Sequence, residues 1–207
     1  VTSWSSAPLP RFGDRRATRI GLLGGSFNPA HGGHLHVARM ALRRLGLDQV
    51  WLLVSPGNPL KPRRGMAPLA ERLAGARALV DGRRIVATAI ERDLGTRYSV
   101  DTARKLRRLF PRARFVWLLG ADNLVQLSRW RRWTDLAAIM PLAVVARPGA
   151  VRASLAGKAA RRLHSARRPV HEAAGLADRA PPAWVFLPVR LHGGSATAIR
   201  AARGEWS

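Results

Sequence analysis

At 207 residues, 47% of them hydrophobic, the chain is long enough for one well-buried core and short for two. It has no cysteine, which excludes disulfides, thiolate metal sites and cysteine nucleophiles and suits a reducing cytoplasm. The formal charge of +24 suits a polyanionic partner such as nucleic acid, yet only Lys61, Lys105 and Lys158 among the 36 basic residues are lysines, and the arginines run along the whole chain. Compositional bias accounts for that better than a nucleic-acid interface, and a small anionic substrate tolerates it.

Residues 1–18 read as a polar tail without the apolar centre of a signal peptide, and no run nears the roughly 18 to 20 apolar residues of a membrane span. The expectation is a cytoplasmic domain over residues 19–207. Arg19–Leu23 reads as the first strand, and Leu35, Ala38, Ala41, Leu42 and Leu45 recur at helical spacing before Gly46 ends the helix. Gln49–Val54 is a second strand, and the Pro- and Gly-rich stretch Ser55–Pro62 a loop. Pro68–Val80 then reads as helix, Arg84–Ile90 as strand, and Ser99–Leu109 as a helix stopped by Pro111. Ala113–Leu119 is a strand, Ala121–Leu127 a short helix, and Pro141–Ala146 a strand closed by Arg147-Pro148-Gly149. Residues 150–180, rich in Ala and Arg, read as a solvent-facing helical or mobile insertion, after which Trp184–Leu187 restores a strand and residues 195–200 open a last helix. Strands alternating with helices call for a single α/β domain: a Rossmann-like, doubly wound parallel sheet with ligands at the carboxyl ends of its strands.

The chemistry concentrates in Gly24-Gly25-Ser26-Phe27-Asn28-Pro29-Ala30-His31-Gly32-Gly33-His34, a glycine-rich turn between the first strand and first helix. Backbone N–H groups and the helix dipole favour an anion there. No G-x-x-x-x-G-K-[ST] string occurs, and Gly21, Gly24 and Gly25 do not fit G-x-G-x-x-G, so neither a P-loop nor a dinucleotide fingerprint explains the turn. His31, His34 and His36 lack nearby carboxylates, which argues against a metal on them. His31 and His34 instead face the anion, and His36 points elsewhere.

The H-x-G-H string His31–His34 resembles the first signature of the nucleotidyltransferase superfamily, and Ser195-Ala196-Thr197-Ala198-Ile199-Arg200 its second, S-x-T-x-x-R. Within it the chain looks most like the bacterial nicotinate-nucleotide adenylyltransferases, with Gly120-Ala121-Asp122-Asn123-Leu124, Trp130, Arg147-Pro148-Gly149 and Tyr98-Ser99-Val100-Asp101-Thr102 as further points of similarity. The resemblance implies that AMP passes from ATP, accompanied by Mg²⁺, to nicotinate mononucleotide. It implies catalytic roles for His31, His34, Lys61 and Arg200, and ATP contacts from Gly24, Gly25, Ser26, Phe27, Gly33, Gly120, Asp122, Arg147, Ser195 and Thr197. Asn58, Ser99 and Trp130 would hold the mononucleotide, the indole stacking on its ring. The sequence departs from the family pattern at Asn28, where Asp is frequent, at Leu60-Lys61, where P-P-H-K is common, and at Ser99, where Thr is usual. Other phosphorylated acceptors, phosphopantetheine or nicotinamide mononucleotide, stay open, as does a basic nucleic-acid-binding module. Oligomeric state is not readable from the sequence.

Overall fold

Strand after strand is apolar at consecutive positions because both faces of the sheet are covered. The structure, a computed structural model, describes residues 18–57 and 65–188. Among these residues seven strands, β1 (Arg19–Gly25), β2 (Gln49–Val54), β3 (Ile85–Thr88), β4 (Arg114–Gly120), β5 (Leu142–Val145), β6 (Arg167–Arg168) and β7 (Trp184–Leu187), form one parallel sheet in the order β3-β2-β1-β4-β5-β7-β6. This is the expected doubly wound α/β domain.

Alternate residues of each strand feed separate cores. Ile20, Leu22, Trp51, Leu53, Trp117 and Trp184 join one layer with α4 (Ser99–Leu109), α5 (Ala121–Gln126) and α6 (Trp133–Ile139). Leu23, Val50, Leu52, Val116 and Val185 join the other with α1 (Gly32–Arg44) and α2 (Leu69–Leu79). Val100, Ala103 and Leu106 line the buried face of α4 at three-residue spacing, whereas Arg104, Arg107 and Arg108 face outward. Gly46, at φ +59°, supplies the left-handed residue that lets the chain leave α1 and turn back into β2.

Several boundaries differ from the sequence reading for local reasons. The third strand is shorter than Arg84–Ile90, because Asp81 Oδ1 accepts from the amides of Arg83, Arg84 and Ile85 and curls the chain before the strand begins. At its far end Thr88 Oγ1 accepts from Ile90 N, and Ile90–Asp93 forms the one-turn helix α3. Helix α6 was not expected, and Asp135 on it pairs with Arg104 of α4 at 2.8 Å.

Residues 150–180, expected as a solvent-facing helical or mobile insertion, are largely helical but only partly solvent-facing. They form α7 (Val151–Ala156), α8 (Lys158–Arg162), β6 and a 3-10 helix at Val170–Asp178. Ala159, Ala160, Leu163 and Ala166 pack into one core layer, and Ala173, Leu176 and Ala177 into the other. Small alanines let these elements approach the sheet closely, so a segment poor in large apolar residues is still buried. Trp184 of β7 locks the segment by donating its indole N–H to the Leu163 carbonyl at 2.8 Å. Trp184→Phe is expected to destabilise the chain by about 1–3 kcal/mol, through a cavity and an orphaned buried carbonyl. Denaturant unfolding measures this, and an unchanged midpoint would show the segment to be peripheral.

Candidate active site

The strand order reverses between β1 and β4, since the chain runs outward from β1 through β2 to β3 and then returns to β4 on the other side. A crevice opens at the carboxyl ends of strands at such a switch point. Gly24 and Gly25 close β1 on one side of it, and Gly120 closes β4 on the other.

The turn after β1 is held by the two histidines of the H-x-G-H string. His31 is the N-cap of α1, with extended backbone, and its Nδ1 accepts from the Gly33 amide at 3.1 Å. His34 reaches back, its Nδ1 accepting from the His31 amide at 3.2 Å. Two amides at the start of α1 are thereby satisfied reciprocally, in the manner of a Ser–Glu capping box. A ring whose Nδ1 accepts carries its proton on Nε2, so the cap fixes the tautomer of both histidines. Their ring centroids lie 3.8 Å apart, and the Phe27 ring lies 4.7 Å from that of His34. Phe27 sits at φ 49°, a conformation that a bulky residue rarely adopts, with its buried ring under the turn.

On the facing side, Asp122 in the first turn of α5 and Arg147 after β5 meet above Gly120, with Nε 3.5 Å from Oδ1. A methyl group on Gly120 would collide with Asp122 Oδ1 and lie 2.9 Å from Arg147 Nε, so only glycine admits this arrangement. Asp122 Oδ1 is buried without a hydrogen-bond partner, a site where a polar ligand gains an acceptor.

The third part lies beyond β2 and β3. Ser99 opens α4 directly after Tyr98, whose ring lies 4.7 Å below the Arg131 guanidinium. That contact brings the Trp130 segment beside Tyr98 and Ser99. Trp130 is partly buried against the core and partly exposed, so packing and ligand stacking are both open to it. Asn28, at the position that departs from Asp, donates to the Gly65 carbonyl at 2.8 Å and accepts from Ala67 N at 3.2 Å, fastening the chain after the second loop to the turn. Asn58, Lys61, Ser195, Thr197 and Arg200 lie outside the described residues.

Sequence reasoning missed two buried charged residues behind the site. Arg72, 4% exposed, gives all its described hydrogen bonds to main-chain carbonyls: Ser26 at 2.7 Å, Ser55 at 2.8 Å and Ala67 at 2.8 Å. Glu91, on α3, accepts from the Thr102 hydroxyl at 3.1 Å. Its position one turn beyond β3 was the one signal in the sequence, because carboxyl ends of strands face the crevice. Burial raises the Glu91 carboxyl to about 7, against the partial opposition of the Thr102 and Ser55 hydroxyls nearby.

A separate groove of about 710 Å³ lies at the amino ends of the strands, far from these residues, where Arg107, Arg114 and Arg179 meet. Its arginines are engaged: Arg107 donates to the Ile139 carbonyl, Arg114 pairs with Asp178 and Arg179 with Glu172.

The family model of cytidylyltransferase-like proteins matches residues 22–202. A Gluconobacter oxydans protein named probable nicotinate-nucleotide adenylyltransferase is 60% identical, covering 88% of this chain and 93% of its own length. One of the same name from Gluconacetobacter diazotrophicus is 58% identical, covering 94% and 90%. The chain therefore belongs to the cytidylyltransferase-like family and, within it, to the nicotinate-nucleotide adenylyltransferases. The fold is shared more widely: the Plasmodium falciparum nicotinic acid mononucleotide adenylyltransferase, solved in complex with NaAD, superposes with a TM-score of 0.62 at 13% identity, covering 89% of this chain and 83% of that one.

The Glu91 shift makes stability depend on pH in a defined direction. Its folded value, about 7, lies above the ordinary 4.5, so the folded state holds the proton more tightly. The Glu91 contribution to stability is fully present below about pH 4.5 and is lost as pH rises through about 7, by on the order of 3 kcal/mol. Glu91→Gln escapes this loss. Denaturant unfolding at about pH 5 and about pH 8 is expected to show the variant gaining on the parent at the higher pH, and a difference independent of pH would contradict the buried carboxyl.

Proposed function

We infer that the chain transfers the AMP moiety of ATP to nicotinate mononucleotide, releasing pyrophosphate and forming nicotinate adenine dinucleotide for NAD biosynthesis. The observation that carries this reading is the histidine-capped turn at the β1 end of the switch point, with Asp122 and its ion-pair partner Arg147 at the β4 end, where Asp122 Oδ1 is buried without a hydrogen bond. The names of relatives 58–60% identical over most of their length support the choice of acceptor.

The triphosphate would lie over the Gly24–Phe27 turn, with Gly33 in the first turn of α1 behind it. His31 and His34 would turn their Nε2–H donors to the α-phosphate, because their Nδ1 atoms are committed to the cap. Gly120, Asp122 and Arg147 would border the nucleoside, Asp122 accepting from a hydroxyl. Lys61, with Ser195, Thr197 and Arg200 at the second signature, would neutralise the β- and γ-phosphates. Asn58, Ser99 and Trp130 would receive the nicotinate ring, with Trp130 stacked on it.

A phosphomonoester is mostly a dianion at neutral pH, its second pKa being near 6, so the mononucleotide phosphate needs no strong base. Its oxygen attacks the α-phosphorus, the bond to the bridging oxygen of the β-phosphate breaks, and the electron pair leaves with pyrophosphate. Alignment and charge neutralisation then carry catalysis. Mg²⁺ would enter with ATP as part of the substrate. Among the described residues no three His, Asp or Glu side chains gather into a cage, and a Mg²⁺ held by phosphate oxygens and water needs none. The reaction is assigned to the cytoplasm, since the cysteine-free sequence suits a reducing compartment.

Pyrophosphate release from ATP, measured in parallel with nicotinate mononucleotide, nicotinamide mononucleotide and phosphopantetheine, tests the acceptor. The nicotinate compound is expected to give the highest kcat/KM by at least about tenfold, a difference of about 1.4 kcal/mol in transition-state binding. Equal or better turnover with another acceptor would contradict the assignment. Tight, salt-sensitive duplex binding without turnover would favour the nucleic-acid reading instead.

A further inference from the structure

Arg72 reaches the back of the glycine turn from α2 and is buried there. Its Nη1 donates to two carbonyls at once, Ser26 at 2.7 Å and Ser55 at 2.8 Å, and its Nε donates to a third, Ala67, at 2.8 Å. Ser55 directly follows β2, so the guanidinium lies on the β2 side of the turn. The carbonyl one residue earlier is held on that side as well, since Gly25 accepts from the Ser55 amide at 2.9 Å. Two consecutive carbonyls of the turn are thus drawn toward β2.

A trans peptide carries its N–H opposite its C=O, and the Gly25–Ser26 and Ser26–Phe27 linkages are both trans. The amides of Ser26 and Phe27 therefore point away from β2, toward the side on which β4 borders the crevice. In an extended strand successive amides face opposite neighbours, whereas two on one side form a cradle for an anion. Among the described residues neither amide has an acceptor in the protein. Phe27 is buried, so an unpartnered amide there gains most when an acceptor reaches it.

We propose that Arg72 is a positioning residue for phosphate binding: by pinning the Ser26 carbonyl on the β2 side, it turns the Phe27 amide, beside that of Ser26, toward the triphosphate. The inference rests on the proposed function, which assigns the turn to ATP. It also accounts for the backbone of Phe27, at φ 49°, since a conformation that bulky residues avoid persists only where its flanks are held. Arg72 holds the peptide before Phe27, and the Asn28 side chain, bonded to Gly65 and Ala67, holds the residue after it. The guanidinium acts here through its shape as well as its charge. A lysine ammonium keeps the charge but gathers its donors on one nitrogen, so it does not reproduce the separate Nε and Nη1 contacts.

The test compares the full chain with Arg72→Lys and with Arg77→Lys, which changes an exposed arginine of the same helix. It measures kcat, the separate Kd of a non-hydrolysable ATP analogue and of nicotinate mononucleotide, and the amide NMR signals of Ser26 and Phe27. In the parent both amide protons are expected to move downfield when the analogue binds. In Arg72→Lys the Phe27 shift is lost, and the analogue's Kd rises about 10- to 100-fold, the worth of one hydrogen bond to a charged group. There kcat falls as well, while the mononucleotide Kd stays within about threefold. Arg77→Lys matches the parent. Undiminished analogue binding in Arg72→Lys would overturn the proposal, because charge without the fork would then suffice. Equal weakening of both substrates would overturn it too, as the mark of general loosening. If Arg72→Lys fails to fold, the parent decides: the Phe27 amide and the Arg72 guanidinium signals moving together on addition of the analogue support the proposal, and a Phe27 amide indifferent to it overturns it. Those shifts in a chain that makes no dinucleotide would overturn the proposed function and leave the role of Arg72 standing.

Discussion

The reciprocal cap at the start of α1 is the contact on which the site depends. A helix N-terminus leaves its first amides without partners, and side chains or ligands must satisfy them. Here the imidazoles do so, His31 taking the Gly33 amide and His34 taking the His31 amide. Serine and glutamate would close the same box with oxygens and then have nothing further to offer an anion. Imidazole has a second nitrogen on its far side, and engaging Nδ1 as an acceptor makes that nitrogen a donor. One interaction thus ends the turn, starts the helix and settles the polarity of the groups that a phosphate would meet.

The sheet brings the remaining parts to this cap. Parallel strands deliver their carboxyl ends to one edge, so β1, β2, β3, β4 and β5 contribute the glycine turn, Ser55, Glu91, Gly120 and Arg147 in turn. Buried charge supports the exposed chemistry. Arg72 binds the turn and the end of β2 into one body, and Glu91 ties α3 to α4 through Thr102. An isolated buried charge is costly; main-chain carbonyls satisfy Arg72, while at Glu91 hydroxyls offset burial only in part.

Much of this was legible in the residues. Apolar runs bounded by Gly, Pro and Asp fixed β1, β2, β4, β5 and β7, because a sheet covered on both faces needs unbroken apolar strands. The H-x-G-H string pointed to the turn, and Gly120-Ala121-Asp122 to the opposite wall. Residues 150–180 misled because alanine carries little hydrophobic signal per residue, yet packs closely when several line one face. Arg72 was hidden by composition: in a chain with 36 basic residues, one that turns inward looks like those that do not. Its partners are main-chain carbonyls from three separate segments, and no local pattern encodes such a meeting. Glu91 was hidden likewise, since its hydroxyl partner, Thr102, lies 11 residues away on α4.

The central claim is that the cap sets the tautomers of His31 and His34 and thereby aims two donors at the phosphate. Nitrogen-15 NMR of the histidine rings, with and without a non-hydrolysable ATP analogue, reads this directly. Both rings are expected to show an unprotonated, accepting Nδ1 and a protonated Nε2, with the Nε2 signals moving on addition of the analogue while Nδ1 stays put. A proton on Nδ1 of either ring in the folded chain, or Nε2 signals indifferent to the nucleotide, would contradict the account.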